Sequence, residues 1–115
     1  MTHNDKEDRI VTEVGLQDLE QALVGGALLL DVRESDEYAE GHVPGAQLLP
    51  LSVLPVRMRE LPHDRPVYVV CHAGGRSAQA AQLLSSASVD ARSVTGGTAA
   101  WISSGRPSQT GTPHS

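Results

Sequence analysis

The residues best suited to chemistry lie together in Cys71-His72-Ala73-Gly74-Gly75-Arg76-Ser77. Cys71 is the only cysteine in the chain. It directly follows Val67-Tyr68-Val69-Val70, the β-branched and aromatic run with the strongest strand character. Arg76 and Ser77 open an Ala- and Leu-rich stretch, Ser77–Ala87, that reads as a helix. A small, Gly-containing loop between a strand and a helix lets successive backbone N–H groups turn inward as an anion nest. The helix N-terminus adds unpaired N–H groups and its positive dipole end, and Arg76 adds a full charge. All three favour a thiolate over a thiol. A free cysteine titrates near pH 8.5, and such surroundings lower that by about one to several units. A lone intracellular cysteine is most often a small buried apolar side chain. Its place here, beside two glycines and an arginine, points to a nucleophile instead.

The loop excludes one familiar alternative and weakens another. A nucleotide-binding P-loop needs Gly-x-x-x-x-Gly-Lys-Ser/Thr, and here the first Gly and the Lys are missing. A cysteine-dependent phosphatase or arsenate reductase places five residues between its Cys and Arg, whereas Cys71 and Arg76 are separated by four. The cradle for a phosphoryl group is one residue short.

These groups need a scaffold, and the hydrophobic pattern supplies one. Strands are expected at Ile10–Val14, Ala27–Val32, Gln47–Leu49, Val67–Val70 and Ala91–Val94. The run Ala27–Val32 is continuously apolar up to Asp31, as in a strand buried on both faces. Helices are expected between them. One carries Leu16, Leu19, Ala22 and Leu23 and stops at Gly25-Gly26. A short acidic helix is capped by Ser35 and ended by Gly41. A third carries Leu51, Leu54, Met58 and Leu61 with Ser52 as cap, because Pro55 is tolerated in a first turn. The last, Thr98–Ser104, ends before Gly105 and Pro107. Alternating strands and helices imply a parallel α/β sheet, whose ligands bind at the carboxyl ends of the strands. The acidic run Glu34, Asp36, Glu37 and Glu40 reads as a solvated helix face. Gly96-Gly97 reads as a close chain approach before the last helix, with Trp101 on the core.

Composition narrows the classes further. The chain has 115 residues, a formal net charge of −5, no Phe and one Trp. It suits one domain, expected over residues 10–107, with a flexible lead-in at 1–9 and a flexible tail at 108–115. Nine basic residues against fourteen acidic ones argue against nucleic-acid binding. No apolar run reaches the roughly 20 residues of a membrane span, and the charged start does not read as a secretory signal. A cytoplasmic location is expected. One cysteine excludes an internal disulfide and an all-Cys zinc site, and no paired Cys/His spacing suggests a metal.

Four stretches together resemble the single-domain rhodaneses, sulfurtransferases that carry sulfur as a cysteine persulfide. They are Leu29–Glu34 with Glu37-Tyr38, Glu40–Ala46, the Cys71–Arg76 loop with Ser77, and Thr95–Trp101. The resemblance implies a five-stranded parallel sheet of order 1-5-4-2-3, flanked by helices on both faces. It implies Cys71 as the nucleophile that takes sulfur from thiosulfate or a persulfide donor. A thiophilic acceptor such as cyanide, a thiol or a thioredoxin-like protein then removes it. His72, Ala73, Gly74, Gly75, Arg76 and Ser77 would form the anion-binding loop, with Arg76 attracting the donor. Asp31 and Arg33 would support the loop or touch the donor, while His42 reads first as a structural turn residue. His72 either favours the thiolate when protonated or points to water. No cofactor is implied, and a monomer or weak dimer is expected. A sulfur-relay or sensor module loaded only by a protein partner is the non-enzymatic alternative.

Overall fold

The computed structural model describes residues 11–112. The expected strand residue Ile10 and the expected lead-in at 1–9 lie outside them. Five parallel strands form one sheet: β1 (Thr12–Val14), β2 (Leu28–Asp31), β3 (Gln47–Leu48), β4 (Val67–Val70) and β5 (Ala91–Val94). Their spatial order is β1-β5-β4-β2-β3, as expected. The helices are α1 (Leu16–Val24), α2 (Ser35–Glu40), α3 (Leu54–Arg57), α4 (Gly75–Ser86) and α5 (Gly97–Ser103).

Side-chain alternation along the strands splits the core into two layers. Leu30, Val32, Val67, Val69, Cys71 and Ala91 face one side, where they pack with Leu54 of α3 and Ala80, Ala81 and Leu84 of α4. Leu29, Tyr68, Val70 and Val94 face the other, with Leu19 of α1, Tyr38 of α2 and Trp101 of α5. All four β4 residues are buried, which explains why that strand reads as an unbroken apolar run. In-register pairing of Asp31 with Val70 brings the carboxyl ends of β2 and β4 side by side. The segments that follow, Val32–Glu34 and Cys71–Gly74, therefore start as neighbours.

Three local expectations need correction. Ser35 does not cap α2. Glu34 holds the extended N-cap geometry, and the Glu37 carboxylate accepts its N–H at 3.0 Å. Residues 51–60 are not one helix capped by Ser52. A 3₁₀ turn at Leu51–Val53 precedes α3, and another at Met58–Glu60 follows it. Pro55 has no N–H for a continuous helix ladder. The Leu51 carbonyl instead accepts from Leu54, and the helix restarts with Pro55 in its first turn. The expected flexible tail at 108–115 begins with a fixed segment. Gln109 exchanges two backbone hydrogen bonds with His42, at 2.8 and 2.9 Å, and Gly111 donates to the Ala39 carbonyl. The Trp101 indole N–H, donating to the Pro107 carbonyl at 2.6 Å, steers the chain into that path. Residues 113–115 lie outside the described ones.

Candidate active site

Cys71 is the first residue after β4 and is buried. The chain then turns so sharply that Gly74 adopts φ +124°, in the region that favours glycine, and α4 starts at Gly75. This turn returns the Gly74 N–H onto Cys71 Sγ at 3.0 Å. The Ser77 hydroxyl lies 3.6 Å from the same sulfur. Burial is the largest influence on the thiol and pushes its pKa up. The Ser77 side chain and the amides of Ser77, Gly74 and Ala73 act in the opposite direction, and together they bring it below the usual thiol value. The expected amide nest is thus built mainly by Ala73, Gly74 and Ser77. His72 and Ala73 are exposed at the loop's crest.

The floor of the loop comes from α5. Thr98 N–H donates to the Cys71 carbonyl at 2.8 Å, and Ala99 N–H to the His72 carbonyl at 2.9 Å. These bonds require backbone-to-backbone approach at Gly97, whose φ is +62°. A Cβ there would sit 2.6 Å from the His72 carbonyl oxygen and 2.7 Å from that of Cys71. The close approach read from Gly96-Gly97 is therefore the contact that fixes the backbone of Cys71 and His72.

Arg76 does not point its charge freely into the loop. Its guanidinium forms a two-pronged pair with the Glu37 carboxylate, both N–O distances being 2.8 Å. The hydrogen bonds from Arg76 hold the Glu37 pKa at about 2, against the burial that would raise it. Glu37, read from sequence as part of a solvated face, thus ties α2 to the start of α4. Arg76 is also close enough to feel the charges of Cys71 and Asp31.

Asp31 and Arg33 form a buried pair behind the site. The Asp31 carboxylate accepts from Arg33 Nε and Nη2, the shortest bond being 2.7 Å. Arg33 Nη2 also donates to the Gly41 carbonyl at 2.8 Å. Two buried opposite charges with this many hydrogen bonds hold β2 against the α2 terminus. His42 stacks on Tyr38 at 3.6 Å between ring centroids, with Nδ1 2.7 Å from the Tyr38 carbonyl. A carbonyl only accepts, so Nδ1 carries the proton.

Beside the loop lies a groove of about 200 Å³, lined in part by Arg33, Glu37, Gly41, His72, Thr98 and Ile102. The structure therefore gathers Cys71, the loop, Arg76 and Glu37 at the carboxyl edge of the sheet. Asp31, Arg33 and His42 brace that edge through hydrogen bonds to one another's elements. Sequence reading missed Ser93, a buried β5 residue whose hydroxyl meets Ser77 Oγ at 2.8 Å. A polar residue two positions from Ala91 in a buried strand was the available signal. Among the described residues no group of three or more His, Cys, Asp or Glu converges on a possible metal position, and no helix is long and apolar enough to cross a membrane.

Comparison with known proteins gives a consistent set of likenesses. The family model described as Rhodanese-like domain matches residues 15–104. A sulfurtransferase of Allochromatium vinosum is 38% identical over 101 residues, covering 85% of this chain and 94% of that protein. A Bacillus subtilis protein described as a candidate sulfur carrier is 33% identical over 84 residues, covering 71% of this chain but only 45% of that protein. Among solved structures, a rhodanese-related protein of Thermoplasma volcanium has a TM-score of 0.79 at 31% identity, covering 84% of this chain and 96% of that one.

Proposed function

The chain belongs to the rhodanese-like sulfurtransferase family, and on that premise we propose that it transfers sulfane sulfur through a persulfide on Cys71. The observation that carries this reading is the sulfur's setting: a sole cysteine, buried, with the Gly74 amide 3.0 Å away and its pKa lowered. A covalent two-step exchange needs a nucleophile that is ionised near neutral pH and a site that tolerates a second sulfur anion.

The steps balance without a cofactor. The Cys71 thiolate attacks the outer sulfur of thiosulfate. The new S–S bond forms as the bond to the sulfonate sulfur breaks, and sulfite leaves with the electron pair. The amides of Ala73, Gly74 and Ser77 then face a persulfide anion instead of a thiolate. A thiolate acceptor attacks the outer sulfur, leaves as a persulfide, and restores the Cys71 thiolate. A chain with one cysteine has no resolving thiol of its own, so discharge falls to an outside acceptor such as cyanide, a small thiol or a thioredoxin-like protein. Phosphatase or arsenate reductase chemistry is disfavoured, because four residues and not five separate Cys71 from Arg76, which leaves a phosphoryl cradle one residue short.

Intact mass after incubation with thiosulfate tests the reading. The expected result is a gain of one sulfur atom, absent in Cys71→Ser and removed by cyanide. No gain in the reduced, folded protein, followed by loading from a persulfidated protein donor, would replace enzyme turnover with the relay reading.

A further inference from the structure

Ser93 lies outside the loop and 16 positions from Ser77 in sequence, yet their hydroxyls are 2.8 Å apart in a buried setting. Ser77 Oγ also lies 3.1 Å from the Gly74 carbonyl oxygen and 3.6 Å from Cys71 Sγ. A serine hydroxyl has one proton and two acceptor positions. The Gly74 carbonyl can only accept, and a thiolate can only accept. Ser77 therefore cannot serve both at once. With a protonated Cys71, the S–H donates to Ser77 and the Ser77 proton goes to Gly74. With an ionised Cys71, the Ser77 proton has to turn to the sulfur. If Ser93 also acted as an acceptor, three groups would compete for that proton.

We propose that Ser93 is a positioning residue for the sulfur chemistry, its O–H donating to Ser77 Oγ so that the single Ser77 proton is kept for Cys71. When the Cys71 proton leaves to solvent, the Ser77 O–H rotates from the Gly74 carbonyl to Sγ. Neither serine loses a proton, and the Ser93 bond persists in both states. A donor behind a donor polarises it and strengthens the forward bond by roughly 10–30%. The lowered thiol pKa, to which the Ser77 side chain contributes, agrees with this arrangement. The charged pairs around the sulfur are Arg76 with Glu37 and Asp31 with Arg33, the titratable His72 is exposed on the loop, and none of them touches Ser93 in a hydrogen bond.

The inference rests on Cys71 being the sulfur-carrying nucleophile, but its test reads thiolate formation and can fail while sulfur loading succeeds. The rate of iodoacetamide alkylation is followed against pH in the full chain, with thermal unfolding as a check on folding. Ser93→Ala is expected to move the profile to higher pH, slowing alkylation roughly two- to threefold on the acidic limb. Ser93→Thr, which keeps a hydroxyl, is expected to stay near wild type. In a Ser77→Ala background, Ser93→Ala is expected to change nothing further. An unchanged profile in Ser93→Ala, an equal shift in Ser93→Thr, or the same shift without Ser77 would each overturn the proposal.

Discussion

Gly97→Ala tests whether backbone contact between α5 and the loop holds Cys71 in place. Two effects add. The residue has φ +62°, and placing an L side chain in that region costs about 1–2 kcal/mol. The new Cβ would also sit 2.6 Å from the His72 carbonyl oxygen and 2.7 Å from that of Cys71. Neither obstacle is a flexible side chain, so the backbones must separate, and such overpacking costs about 1–3 kcal/mol. The expected loss is about 2–5 kcal/mol, out of a usual domain stability of about 5–15 kcal/mol. With a urea m-value of about 2 kcal/mol/M, the unfolding midpoint should fall by roughly 1–2.5 M. Gly26→Ala is the matched control. Its φ is +86°, but nothing lies within 4 Å of its Cβ position, so only the conformational part, about 1–2 kcal/mol, applies. Separation at Gly97 also stretches the Thr98 and Ala99 hydrogen bonds to the loop, so Cys71 alkylation should change with Gly97→Ala and not with Gly26→Ala. Equal midpoints for the two variants would refute the argument that close approach, and not backbone handedness alone, demands a glycine there.

Three further outcomes follow from the charged groups. Asp31→Asn leaves the Arg33 guanidinium buried without a counter-charge, and should lower stability by about 3–5 kcal/mol in urea unfolding. Glu37 has a folded pKa of about 2, below its usual 4.5. Its contribution is therefore complete above about pH 4.5 and is lost as pH falls through about 2. Because the pair is partly exposed, the amount is about 1 kcal/mol, and Glu37→Gln should flatten that part of the stability–pH curve. Arg76→Ala leaves the Glu37 charge unbalanced near the sulfur and should move the alkylation profile to higher pH. Glu37→Gln frees the guanidinium and should move it to lower pH. Shifts of the same sign would detach the pair from the thiolate.

The parts legible in sequence were those with local causes. The apolar run ending at Val70, the glycines after α1 and the Cys71–Ser77 spacing each report on a few consecutive residues. Gly96-Gly97 was legible as a close approach, because few other demands place two glycines before a helix. The partner at that approach was not, since His72 is distant in sequence. The same holds for Glu37 with Arg76 and for Ser93 with Ser77. Each member has an ordinary surface or strand meaning alone, and only the β5-β4-β2 order brings the members together. Ser35 failed as a cap for a different reason: the Glu37 carboxylate satisfied the Glu34 N–H and set the helix start one residue earlier.

The strand order has a consequence for a chain synthesised from its N-terminus. Thr12 pairs with Arg92, so the earliest strand waits for the latest one before gaining its neighbour. The loop carrying Cys71 leaves the ribosome ahead of Thr98 and Ala99, whose amides hold its backbone. Such separated pairings form slowly. The backbone around Cys71 therefore gains its Thr98 and Ala99 hydrogen bonds only when the last helix docks.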